Sequence, residues 1–165
     1  KSKRKKTDDE WQCRSQFQRA ACVRLVVSAG RSGAARGHEG ALVEAIAIVV
    51  ADLEGACAAG VKAHNDLISA IVELSEVLAS FALSKADKAS LCQDDKVALH
   101  AVVTSLSDIV KKAIGIKKRG HTLKRMEKVR KIVEKSMLQK ESSTDTTPQM
   151  YQTKDQKKKK KKKKL

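Results

Sequence analysis

The chain has 165 residues, 41% of them hydrophobic but only 2% aromatic, and its 35 Lys and Arg outnumber 19 Asp and Glu for a net charge of +16. That length holds about one domain of roughly 100–200 residues. The apolar run 41–50 is broken by Glu44 and followed by Asp52 and Glu54, well short of the roughly 20 residues that cross a bilayer, so no transmembrane segment is expected.

A single proline, Pro148, and an abundance of Ala, Leu, Glu and Lys favour helix throughout. Charge is unevenly placed. Residues 1–37 hold ten basic and three acidic groups, 38–116 six and eleven, 117–140 ten and two, and 141–165 nine and three. A mildly acidic centre therefore lies between basic flanks. Those flanks would attract polyanions or stand as solvated tails.

Residues 1–10, KSKRKKTDDE, read as a charged leader, and Lys1, Lys3, Arg4, Lys5 and Lys6 also fit a nuclear address. Between Glu10 and Glu39 no acid occurs, and Arg14, Arg19, Arg24, Arg31 and Arg36 are spread among Ala, Ser and Val. This is the composition of an organelle presequence or of a translated upstream region. Gly30, Gly33, Gly37 and Gly40 read as a linker. Residues 1–37 are thus expected to be a disordered basic leader outside a folded unit at 38–140. No methionine precedes Met126, so residue 1 is not expected to be a natural start.

The first core helix is expected over 39–59, where Leu42, Ala45, Ile46, Val49, Val50, Leu53 and Cys57 recur at spacings of three and four. Gly60 suits the left-handed residue that ends it, and Asn65 the cap of the next. The second helix, over 66–83, carries Leu67, Ile68, Ile71, Leu74, Leu78, Phe81 and Ala82 as a stripe. The polar stretch 84–93 reads as a loop or broken turn.

The third helix begins at Asp94 or Asp95 as cap, runs through Leu99, Val102, Val103, Leu106, Ile109 and Val110, and is stopped by Gly115. A fourth, over 122–139, places Leu123, Met126, Val129, Ile132, Val133 and Met137 on one side and basic residues on the other. Residues 141–165 read as a disordered exit. It ends in eight lysines, Lys157 to Lys164, which are either a polylysine tail or a translated poly(A) stretch. The expected architecture is an all-α, small up-and-down bundle of three or four helices with disordered basic termini. Homodimerisation would add burial to so alanine-rich a set of helices.

Chemistry of a catalytic kind has little to stand on. Cys13, Cys22, Cys57 and Cys92 are too widely spaced for a metal or redox pair, and His38, His64, His100 and His121 show no HxxxH or HExxH spacing. The glycines of RSGAARGHEG lack the GK[ST] of a phosphate loop. No enzyme, cofactor or metal is expected.

What stands out is the density of Lys117, Lys118, Arg119, Lys124, Arg125, Lys128, Arg130, Lys131 and Lys135 against only Glu127 and Glu134. Such a helix can neutralise RNA or DNA phosphates, dock on an acidic protein surface or, without a Trp or Phe anchor, lie on an anionic membrane less well. The expected function is a non-enzymatic binding module that contacts nucleic-acid phosphates without reading bases. The alternatives are a protein–protein adaptor or a fragment of a longer helical protein. An intracellular address is favoured, and the basic clusters 1–6 and 117–131 also fit a nuclear one.

Overall fold

A helix whose apolar residues run round most of its circumference must be covered on most sides, and the segment NDLISAIVELSEVLASFAL is of that kind. In the computed structural model it is the central element. The structure describes residues 2–83 (side chains from Cys13 onward), 91–113 and 115–139. Among these are five helices and no strand: α1 Ser2–Ser32, α2 Glu39–Ala58, α3 Asn65–Leu83, α4 Gln93–Lys112 and α5 Arg119–Leu138. The protein is all-α, with one helix more than the upper expectation. Eleven of the nineteen α3 residues are buried, and α3 touches all four other helices.

Pairs of residues fix the directions. Arg24 with Asp66 and Arg31 with Glu73 set α1 parallel to α3, and Arg125 with Glu76 and Ser136 with Ala82 set α5 parallel to α3. His100 with Glu134 and Lys96 with Ser136 make α4 and α5 antiparallel. Gly40 lies beside Asp95, and Cys57 lines a hollow with Ile109, so α2 runs parallel to α4. Consecutive helices therefore alternate in direction. Their closest partners, however, are mostly not their neighbours in sequence: α1 packs on α3, α2 beside α4, and α5 beside both α3 and α4.

The N-terminal region departs most from expectation. Residues expected in an unpacked leader form α1, and Ala20, Val23 and Val27 join the hydrophobic core. With Gln16 and Gly30 these buried residues recur at spacings of four and three, which places them on one helical face. The side chains are small, so the helices approach closely: a Cβ added at Gly30 would stand 2.8 Å from Cγ1 of Val77. Gln16 closes the seam by donating from Nε2 to the Lys62 carbonyl at 3.1 Å and accepting the His64 N–H at 2.6 Å. Around it Arg19, Arg24 and Arg31 meet Asp52, Asp66 and Glu73. Gly33 and Gly37, at φ +78° and +86°, turn the chain from α1 into α2.

The remaining helices follow their apolar spacing with local corrections. In α2, Val43 is buried where Ala45 was expected, and Ala45 is exposed. Asn65 is the first residue of α3 rather than its cap, and His64 Nδ1 accepts the Asp66 N–H at 3.3 Å. Cys92 caps α4 through Sγ, which accepts the Asp95 N–H at 3.4 Å. Asp94 and Asp95 lie in the first turn, where their charge favours the positive end of the helix dipole. Gly60 and Gly115 take the left-handed conformation beyond α2 and α4 as expected.

Near the far end of α5, Lys96 Nζ donates to the Ser136 carbonyl at 3.4 Å and Ser136 Oγ to the Ala82 carbonyl at 2.8 Å, tying α4, α5 and α3 together. Most of the expected break at 84–93, and the exit 141–165, lie outside the described residues.

Candidate nucleic-acid interface

Helix α5 buries Met126, Val129, Val133 and Ser136, with Leu123, Ile132 and Met137 partly covered. At 100° per residue the side opposite this seam is occupied by Lys124, Lys128, Lys131 and Lys135, which fall within an arc of about 60° and extend over about 16 Å. All four are exposed. Their spacing of four, three and four leaves about 4.5–6 Å of helix axis between successive ammonium-bearing residues.

The nine predicted residues separate by chemistry. The arginines are committed to the fold. Arg125 donates from Nε and Nη2 to the two Glu76 oxygens, both at 2.7 Å, and this hydrogen-bonded cation holds the Glu76 carboxyl below its usual range. Arg130 makes the same fork to Glu127 at 2.9 and 2.8 Å and reaches Glu134 at 3.3 Å. The Glu127 carboxyl is lowered in turn, first by that hydrogen bond. Arg119 donates to the Ala113 carbonyl and fastens the α4–α5 connection.

The lysines face outward. Among the described residues only Lys131 of these makes an ion pair, with Glu127 at a long 3.7 Å, and it shares that acid with Arg130. Lys117 and Lys118 are exposed in the connection before α5, with Lys118 in the left-handed conformation at φ +57°. Beside the stripe, Lys124, Lys128, Lys131 and Lys135 border a groove of about 470 Å³ whose floor includes Ile132 and the half-exposed Leu83. Sequence reasoning missed Leu83 as a lining residue and Glu76 as the Arg125 partner. Glu76 stands 49 residues away, so no local spacing could have announced it.

No protein family, curated protein or solved structure matches this chain.

Its chemistry is therefore read from its own surface. Among the described residues no group of three or more His, Cys, Asp or Glu is placed to hold a metal ion, and no helix is long and apolar enough to cross a membrane. His100 is turned to Glu134 at 3.0 Å, while the exposed Cys92 serves as the α4 cap, so this thiol and imidazole have separate partners. Burial pushes the Cys57 thiol up, away from the thiolate that would make it a nucleophile. No Phe, Trp or Tyr occurs on α5, which leaves the stripe without a stacking platform for bases. What the arrangement can do is present a row of mobile cations to a row of anions.

Proposed function

We propose that this protein is a non-enzymatic binding module whose α5 lysines contact nucleic-acid phosphates without sequence readout. One observation carries the reading: Lys124, Lys128, Lys131 and Lys135 form a single exposed row while the neighbouring arginines are consumed in ion pairs. Flexible ammonium groups that release counterions from phosphates bind with strong salt dependence and little base preference. Replacing all four lysines by Gln in the full chain should flatten log affinity against log salt by about 3–4 on duplex DNA, at about 0.9 per phosphate contact. The subtraction cancels any contribution from the lysine-rich terminus. An unchanged slope refutes the reading.

A second reading follows from the groove floor. Leu83 and Ile132 between lysines suit an acidic amphipathic helix of a protein partner. In that case Ile132→Ala weakens binding as much as a lysine substitution does, and the salt slope is shallow.

A further inference from the structure

At the N-terminal end of the lysine row a separate hollow of about 290 Å³ opens between the first turns of α3 and the α4–α5 connection. Lys117, Lys118, His121 and Arg125 line it, against the single carboxylate of Asp66. That carboxylate already meets Arg24 at 3.5 Å. Among the described residues no acid pairs with Lys117 or Lys118, and the Ser69 and Thr122 hydroxyls, from α3 and α5, make no side-chain hydrogen bond. Arg125 is held in place from one side, because Nε and Nη2 are occupied by Glu76, which leaves both Nη1 protons uncommitted. Of the apolar residues behind the hollow, Ile68 and Val72 belong to the core and Ile116 is partly exposed.

Row and hollow suit different anions. Along α5 the lysines are spread one by one, so each meets the single charge of a phosphodiester. In the hollow several cations and hydroxyl donors converge on one space, which favours an anion with more than one charge and several acceptor oxygens. A phosphate monoester has about −1.5 to −2 charges at neutral pH and three such oxygens. The geometry points to this hollow as a seat for the terminal phosphate monoester of a nucleic-acid strand whose backbone runs along the lysine row. The inference rests on the nucleic-acid reading above.

The test uses the full chain and three single-stranded oligonucleotides of one sequence, with hydroxyl ends, a 5′-phosphate or a 3′-phosphate. One phosphorylated end should bind about fivefold more tightly than the hydroxyl-ended strand, the worth of one or two partly exposed charge contacts. The double variant Lys117→Gln/Lys118→Gln should abolish that ratio; both side chains are exposed, and an unchanged Tm verifies that the fold is kept. Lys131→Gln should weaken all three strands alike and preserve the ratio. Inorganic phosphate should erode the ratio while sparing the hydroxyl-ended strand. Equal binding of the three strands, a ratio that survives the double variant, or phosphate competing against all strands equally each overturns the seat and leaves the lysine row standing. If no strand binds, the nucleic-acid reading falls and the seat with it.

Discussion

Gly30→Ala reports whether α1 is part of the folded unit. The new methyl would stand 2.8 Å from Cγ1 and 4.0 Å from Cβ of Val77, and Val77 is only 9% exposed. Carbon atoms in contact prefer about 3.5–4.0 Å, so the pair is overpacked, at a cost of about 1–3 kcal/mol. Against this, Ala is favoured over Gly inside a helix by about 1 kcal/mol. The net expectation is a destabilisation of about 0–2 kcal/mol. In a Val77→Ala background the obstructing methyls are gone and the same substitution should stabilise by about 1 kcal/mol. The sign change is the signature, and it corresponds to a coupling of about 1–3 kcal/mol between positions 30 and 77. Urea unfolding of the four proteins by circular dichroism, compared at constant m-value, measures it. If Gly30→Ala has the same effect in both backgrounds, so that positions 30 and 77 are uncoupled, α1 does not pack on α3 and the seam described above is wrong.

Arg125→Gln should lower stability by about 1 kcal/mol in urea unfolding, because it removes a two-bond contact that is only partly exposed. Since Arg125 lowers the folded Glu76 pKa below its unfolded value, this pair's contribution is fully present above about pH 4.3 and is lost as pH falls through the lowered value. Glu76→Gln should flatten that acid limb of the stability profile; an unaltered limb counts against the pair. Toward a thiol reagent such as DTNB at mildly alkaline pH, the exposed Cys13, Cys22 and Cys92 should react in a fast phase and the half-buried Cys57 in a slow one. Four equal rates would contradict the placement of Cys57. Ser136→Ala leaves the Ala82 carbonyl without its side-chain donor and should cost about 1–2 kcal/mol by the same unfolding assay.

Much of the fold was legible because α3, α4 and α5 bury medium aliphatic side chains at regular intervals. Leu99, Val103, Leu106 and Val110 are fully covered, as their spacing requires. Helix α1 was missed because its buried face is made of Ala20, Val23, Val27 and Gly30, too small to register as a stripe and set among arginines that read as linker composition. Two signals were nonetheless available: the alternation of four and three from Gln16 to Gly30, and the surplus of acids at 38–116 facing a surplus of arginines before it. The caps at His64 and Cys92 escaped notice because neither residue type ranks among preferred caps. At the candidate site the division between the paired Arg125 and Arg130 and the unpaired Lys124, Lys128 and Lys135 follows residue type, and the planar two-donor fork of arginine was the signal passed over. The Arg130 partners, Glu127 and Glu134, stand at local helical spacings, whereas Glu76 reaches Arg125 only in the packed chain.

The pairing of α1 with α3, and of α2 with α4, also orders the events of folding. Helices α4 and α5 are closely packed consecutive partners joined by six residues, so theirs is an association with a short loop to close. The contacts of α1 span 42 residues at Arg24 and Asp66 and 48 at Gln16 and His64. A chain with such separations searches longer than a bundle of nearest-neighbour hairpins. During synthesis α1 precedes α3 and has nothing to rest on until α3 has followed it. A helix made ahead of its partner therefore waits for it before finding its place.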